Sequence, residues 1–458
     1  MHCPRIISFH NGVIEWTAEL DSPLFSVKVN GETVSDGGDG FYRATALRID
    51  EKSDAEIEIT AVGRKSATAV LSYNSKQKKL ALAPVSDYRV NGDVLEWSAV
   101  GECKYYRVYD LDFNAVTVGC THYDMSARKL VWCVCPVPES DVLAEAEPCG
   151  VNIPYLDGGG TKSNPYLINT PFDLRAIDYY ETVYALSGGG KKHYRIARDI
   201  DYRDVIAHDG ESNIFTLNKP FFGTLDGDGN SLLYVRVRYN GGYWAVFDHI
   251  APGGTVRNVT FEDADIYNTA RDEMHPVNSS TAIVAYVNRG TVENVSLDGV
   301  RVTVSGGGAC GIAVHNSGCV RGCTVRGVFV QDVTVRLGTA SYEMSGMVLE
   351  NRAGGVVESN HAVRVGLRGA ADNIRAAAGC VSVNRDGGVV RGNSFDTVTA
   401  NGIALGTECG GVVAYNSGTV ERGGGPLGQL VANGQYVRDE IDCGGRGTLV
   451  GKNDGTVR

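Results

Sequence analysis

Ala282-Ile-Val-Ala-Tyr-Val-Asn-Arg-Gly-Thr-Val-Glu-Asn-Val-Ser-Leu297 decides the fold, because its central phrase keeps coming back. An Asn, a short Gly-containing turn and a Val recur as Asn288-Arg-Gly-Thr-Val292, Asn316-Ser-Gly-Cys-Val320, Asn351-Arg-Ala-Gly-Gly-Val356, Asn384-Arg-Asp-Gly-Gly-Val389, Asn416-Ser-Gly-Thr-Val420 and Asn453-Asp-Gly-Thr-Val457. Successive asparagines lie 28, 35, 33, 32 and 37 residues apart, which fits one supersecondary unit plus a loop of variable length. A small-residue and β-branched run precedes each Asn, as in Gly311-Ile-Ala-Val314 and Gly410-Gly-Val-Val-Ala-Tyr415, and another short run follows each turn. These are strand signals. Short strands in a fixed order, with Gly turns and no hairpin signal, are best satisfied by a parallel β-solenoid in which equivalent residues stack about 4.8 Å apart. The asparagines then form an internal ladder of amides bonded to the coils above and below. The Gly after each Asn is expected to supply positive φ at a tight corner.

Composition bounds the remainder. Glycine is 58 of 458 residues, nearly double the average of roughly 7% and without a collagen-like period, as corners require. The length calls for two or three domains. A net charge of -11 opposes a nucleic-acid partner, since binding by counterion release needs clustered Lys and Arg. No window reaches the roughly 18 apolar residues of a membrane span. The start, Met1-His-Cys-Pro-Arg-Ile-Ile-Ser-Phe-His10, has no apolar signal core, so a signal was either removed or never existed. The twelve cysteines are scattered rather than paired at tight spacing and read as buried free thiols. No C-x-x-C pair or H-E-x-x-H marks a metal site, and no cofactor motif occurs.

Residues 1–83 alternate apolar and polar in short runs such as Val13-Ile-Glu-Trp-Thr17 and Ala55-Glu-Ile-Glu-Ile-Thr60, the pattern of a small antiparallel β-sandwich. Residues 84–138 start again on the same phrase, Asn91-Gly-Asp-Val-Leu-Glu-Trp97 echoing Asn11-Gly-Val-Ile-Glu-Trp16. With Tyr105-Tyr-Arg-Val-Tyr-Asp110 and His122-Tyr-Asp-Met-Ser126 this second module resembles fibronectin type III domains. A Pro- and acid-rich stretch over 139–150 reads as a linker. The solenoid is expected to run over 151–458 behind a capping helix that starts at Thr170 and Pro171, carries a capping-box acid at Asp173, and buries Leu174, Ile177, Tyr180 and Tyr184.

The succession Asn164-Pro-Tyr-Leu-Ile-Asn169, Phe172-Asp-Leu-Arg-Ala-Ile177, Tyr194-Arg-Ile-Ala-Arg-Asp-Ile-Asp201, Phe222-Gly-Thr-Leu-Asp-Gly-Asp-Gly-Asn230, Ala245-Val-Phe-Asp-His-Ile250 and Gly254-Thr-Val-Arg-Asn-Val259 resembles the opening of bacterial GLUG-motif repeat proteins. Gly447-Thr-Leu-Val-Gly-Lys-Asn-Asp-Gly-Thr-Val457 resembles the motif itself. Several units depart from it, with Ala282-Ile-Val-Ala or Gly379-Cys-Val-Ser in place of Gly-Leu-Val-Gly. The resemblance implies an all-β chain ending in a right-handed parallel β-helix, in a large surface or secreted protein.

Chemistry has few candidates. The acidic insertion Phe261-Glu-Asp-Ala-Asp-Ile-Tyr-Asn-Thr-Ala-Arg-Asp-Glu-Met-His-Pro276 gathers Asp263, Asp265, Asp272, Glu273 and His275, types that a glycan lyase or hydrolase uses, but at a spacing typical of a solvated loop. Asp226 and Asp228 read as corner residues of an acid-Gly turn. His315 and His361 stand in repeat strands, where packing is their ordinary role. No catalytic or metal-ligating set is assigned. The leading functional expectation is a non-catalytic, adhesin-like surface or secreted protein that meets a glycan or host cell-surface protein through the β-helix. Tyr243 and Trp244 are expected to offer flat aromatic faces, with Asp263, Asp265, Asp272, Glu273 and His275 accepting hydroxyl hydrogen bonds. A phage or prophage tail fibre and a glycan-cleaving β-helix enzyme are the alternatives, the first of which places the chain on a virion. The final unit stops just after its turn, so the C-terminal end is expected to be uncapped and open to self-association or a larger assembly.

Overall fold

The computed structural model describes residues 4–458 apart from 18–23, 63–67, 84, 86, 92, 126–129, 146–152, 188–189, 204–211, 213, 215, 240–241, 270–279, 334–341, 370–373, 424–426 and 438–445. The chain forms two compact units, Met1–Tyr155 and Leu156–Arg458, and is all-β apart from one short helical segment. Among the described residues no helix is long and apolar enough to cross a membrane.

The first unit is built from small antiparallel sheets. Arg5–His10, Val13–Thr17 and Ala46–Arg48 make one sheet, and a five-stranded sheet runs in the order Glu32–Val34, Phe25–Val29, Ala55–Ala61, Thr68–Asn74, Lys79–Leu82. Period-two alternation sends Ile14, Trp16, Phe25, Val27, Ile57, Ile59 and Leu71 into one core, where Trp16 meets Phe25 edge-on at 5.5 Å. Two three-stranded sheets follow, Tyr88–Asn91/Val94–Trp97/His122–Asp124 and Cys103–Asp110/Ala115–Val118/Val131–Pro138. Leu143, from the stretch read as a linker, is buried in the first core, and the amide of Ala144 donates to the Leu80 carbonyl at 2.9 Å. An apolar side chain with somewhere to go has docked this part of the segment.

The second unit is a parallel β-solenoid. Each coil gives short strands to several parallel sheets, so strands that pair with one another lie about one repeat apart in sequence. In one coil these are Ala285–Asn288 in a seven-stranded sheet, Thr291–Glu293 in a ten-stranded sheet, and Ser296–Asp298 and Arg301–Ser305 in a fourteen-stranded sheet. A four-stranded sheet, Tyr342–Ser345, Ile374–Ala378, Ile403–Gly410 and Arg446–Gly447, joins the later coils. The register aligns Asn288, Asn316, Asn351, Asn384, Asn416 and Asn453. Each Nδ2 donates to the next Oδ1, at 2.8, 2.8, 2.8, 2.7 and 2.6 Å in succession. The first five of these side chains are fully buried.

Positive φ is supplied in the two longer turns, by Gly354 (φ 78) and Gly387 (φ 75), as the sequence expectation has it; Gly290, Gly318, Gly418 and Gly455 do not adopt it and supply space instead. A Cβ at Gly318 would stand 2.2 Å from the carbonyl oxygen of Gly290, and one at Gly455 would stand 2.3 Å from that of Gly418. Left-handed backbone occurs at other corners, through Asn258 (φ 52), Asn294 (φ 52), Gly322 (φ 62), Ser359 (φ 55) and Gly392 (φ 63). The amide at each of these positions donates to a carbonyl of the next coil, which holds the corner without regard to residue type.

The helix begins at Thr170 as the capping box requires: Asp173 N donates to Thr170 Oγ1 at 3.3 Å, and Thr170 N donates to Asp173 Oδ2 at 2.9 Å. It runs over Pro171–Arg175 and Ile177–Ser187. Leu174, Ile177 and Tyr180 are buried as read, and Tyr184 is half-buried against Phe222. Tyr180 stacks on Tyr166 of the first strand at 4.1 Å. Two buried carboxylates fix the helix to the chain beside it: Asp178 accepts from Asn218 N at 3.0 Å, and Glu181 accepts from Phe222 N at 2.8 Å and the Tyr194 hydroxyl at 2.9 Å.

Candidate functional site

Where an Asn side chain points into the solenoid, strand alternation turns the residue before it outward. In the seven-stranded sheet that outward position is held in turn by His249, Val287, His315, Glu350, Val383, Tyr415 and Lys452. The column carries connected aromatic and charged groups across several coils. Tyr243 stacks on Tyr286 at 4.1 Å between centroids, and Tyr286 meets the edge of His315 at 5.4 Å. His315 Nδ1 stands 3.0 Å from Glu350 Oε2. Glu350 also accepts from Arg352 Nε and Arg385 Nε, both at 2.7 Å. His315 and then the two guanidiniums hold its carboxyl well below the usual carboxylate range, against the opposing effect of burial. Further along, the Tyr415 hydroxyl donates to Asp454 at 2.7 Å and Lys452 Nζ lies 5.5 Å from the Tyr415 ring.

Small side chains let these rings lie close to the backbone. Tyr286 packs on a cluster of Ala282, Cys310, Val314 and Leu349, and Tyr415 packs on Ala376, Ala378, Val383 and Ala414. Burial pushes the Tyr286 phenol upward, while Arg352 is near enough to pull it the other way.

Of the residues singled out from sequence, Tyr243 is on this face and 48% exposed. Trp244 is not available for contact: it is 4% exposed and bridges to Thr281, because alternation sends the residue after Tyr243 inward. Asp265 belongs to the fourteen-stranded sheet and Asp263 to the corner that precedes it, apart from the seven-stranded face. Asp263 is an exposed corner residue with φ 51, and Asp265 pairs with Arg238 at 2.6 Å, the guanidinium lying 5.6 Å from the Tyr267 ring centroid. Asp272, Glu273 and His275 lie outside the described residues. Asp226 accepts from Arg257 Nε at 2.8 Å and Asn258 Nδ2 at 2.9 Å, a corner role. Among the described residues no group of three or more His, Cys, Asp or Glu is placed to hold a metal ion.

Sequence reading gave His315 a packing role and missed Glu350, Arg352 and Arg385. Their signal was present: each sits one residue before or after a ladder asparagine, so the register that stacks the asparagines also stacks them.

The ten-stranded sheet contrasts with this face. Its outward column reads Arg195, Asp226, Arg257, Glu293, Arg321, Glu358, Arg391, Glu421, alternating in sign at every rung. Arg257–Asp226, Arg321–Glu293 and Arg391–Glu358 pair at 2.7, 3.0 and 2.6 Å.

No family model matches the chain. Over 173 residues, 35% of its length, the chain is 30% identical to halomucin of Haloquadratum walsbyi, and it spans about 2% of that protein. Among solved structures it is similar to an IgA1 protease at a TM-score of 0.36 and 11% identity, over 91% of this chain and 28% of that one. That score and identity are too low to carry any property across.

Proposed function

We propose that this chain is a non-catalytic surface or secreted binding protein, working outside the cell, that recognises a glycan or a glycan-bearing cell-surface partner through the lateral face of its solenoid. The observation that carries the reading is the contact chain from Tyr243 through Tyr286 and His315 to Glu350, with Tyr415 two rungs further along the outward column. Tyrosine rings offer flat apolar faces to sugar rings while their hydroxyls and the neighbouring polar groups meet sugar hydroxyls. Equivalent groups on successive coils suit an extended partner, since weak contacts repeated along one polymer combine. The resemblance to GLUG-motif repeat proteins supports the same setting.

Screening the intact chain on a glycan array, then repeating the best binding with Tyr243→Ala and Tyr286→Ala, tests the reading. Loss of binding in variants with unchanged circular dichroism is the expected result. Full binding by both folded variants, or retention of no glycan at all, overturns it.

A further inference from the structure

The seven-stranded face carries one charge imbalance. Glu350 is a single acid serving two arginines, and both use Nε for it, at 2.7 Å. The arginine side chains remain 48% and 46% exposed, whereas the Glu350 side chain is 18% exposed. A guanidinium bound through Nε keeps its two Nη groups, which form a fork matched to a planar carboxylate. Anchored from below by one half-buried acid, the two forks are held in place before any ligand arrives, which lowers the ordering cost of binding. Aromatic rings stand on either side, Tyr286 beside the column against His315 and Tyr415 in it beyond Val383.

We infer that the glycan taken by this face is an acidic one, a polymer of uronate sugars, with Arg352 and Arg385 receiving carboxylates and Tyr286 and Tyr415 receiving sugar rings on either side. The inference rests on the binding function proposed above and names its ligand class. A chain with a net charge of -11 exerts no long-range pull on such a polymer, so recognition depends on these contact groups. Lysine is a poor substitute here, since it keeps the charge but loses the fork.

The test compares polygalacturonate with its fully methyl-esterified form, which has the same backbone and no carboxylate charge, by titration against the full chain. Polygalacturonate is expected to bind at least about tenfold more tightly than the ester, the scale of one charge-assisted contact. Arg385→Ala and Arg352→Ala should each remove most of that preference. Arg385→Lys, which conserves charge and disturbs the fold least, should recover only part of it. Circular dichroism and melting temperature establish that each variant is folded. Equal binding of acid and ester by the native chain overturns the inference while leaving glycan binding intact. A preference that survives in both folded alanine variants also overturns it, because the acid is then recognised elsewhere. Binding of neither polymer, with another glycan retained on the array, overturns the ligand class alone; with nothing retained, the binding function falls too.

Discussion

Replacing Asn351 by leucine, a side chain of nearly the same size, removes the middle rung of the internal ladder and leaves its neighbours in place. Asn351 Oδ1 accepts from Asn316 Nδ2, and Asn351 Nδ2 donates to Asn384 Oδ1, both at 2.8 Å. In the variant Asn316 Nδ2 keeps only the Gly318 and Val356 carbonyls, each at 3.4 Å, and Asn384 Oδ1 loses its ladder donor. Both groups are fully buried, so water does not replace the lost partner. At about 1–3 kcal/mol for each stranded group, the substitution should cost about 2–6 kcal/mol. Asn453→Leu is the internal control: its ladder bond is to Asn416 alone, at 2.6 Å, and the residue is half-buried, which puts its cost near one stranded group or less. A stacked-coil protein need not unfold in one step, so a denaturant midpoint alone would blur the effect. Hydrogen exchange localises it, with faster exchange expected in 348–351 and 381–384 and little change near Tyr166. An Asn351→Leu penalty equal to or smaller than that of Asn453→Leu would refute the reasoning, since the ladder would then contribute nothing beyond the packing of each coil.

Gly318→Ala should destabilise the solenoid by about 1–3 kcal/mol through overpacking, as its Cβ meets the Gly290 carbonyl at 2.2 Å, whereas Gly434→Ala, with φ +75 and open space, should cost only the backbone term of about 1–2 kcal/mol. Thermal melts of the two variants separate space from φ, and a larger penalty at Gly434 would contradict the account given for the ladder glycines. Trp244→Ala should cost about 3–5 kcal/mol as a core deletion and Tyr243→Ala less than about 1 kcal/mol, so a melting curve in which Tyr243 matters more would reverse the assignment of inside and outside. Burial pushes the Asp178 carboxyl up to about 7. A folded pKa above the unfolded one means that its contribution is fully present below the ordinary carboxylate range and is lost as the pH rises through about 7. Asp178→Asn should therefore flatten the decline of solenoid stability between about pH 4 and 7, and an unchanged slope of melting temperature against pH would refute the role given to this carboxyl.

The ladder was legible because one phrase recurs with the same residue at the same place, and a buried amide that bonds its own image fixes register on its own. Period-two alternation likewise made the first unit's core legible at Ile14, Trp16, Ile57 and Ile59. The left-handed corners were not, since Asn258, Asn294, Gly322, Ser359 and Gly392 share a conformation without sharing a residue type. The conformation there is imposed by hydrogen bonds between coils, which sequence does not display. The turn glycines were read correctly only at Gly354 and Gly387, where φ is positive; at Gly290, Gly318, Gly418 and Gly455 what excludes a side chain is the carbonyl of the coil below. The candidate site divides in the same way. Tyr243 was visible as an aromatic beside a strand, and the inward turn of Trp244 followed from alternation once the strand was placed. Glu350 and Arg385 lie 35 residues apart and meet only because the register brings Asn351 under Asn384.

The two outward columns show why a repeated fold can keep one face inert and make another receptive. On the ten-stranded sheet each rung carries one charge and the next rung the opposite one, so six of the side chains pair within the column, Arg257–Asp226, Arg321–Glu293 and Arg391–Glu358. Such exposed pairs stabilise weakly, at about 0–1 kcal/mol each, but they neutralise each paired charge. The seven-stranded sheet breaks that alternation. A single acid at Glu350 is shared by Arg352 from its own coil and Arg385 from the next, and the rung between Glu350 and Tyr415 is the apolar Val383 instead of a second acid. The excess is therefore positional, created by stacking, and it survives in a chain whose total charge is -11. Moving an acid into the gap, as in Val383→Glu, should make this column resemble its inert counterpart. Val383 is 3% exposed beneath Tyr415, so the added carboxylate must displace that ring to reach solvent; in a protein that still folds it would stand beside Glu350 and compete for the Nη groups of Arg385, and acidic-glycan binding should fall. Retained binding in a folded Val383→Glu protein would show that the imbalance at Glu350 is incidental to recognition.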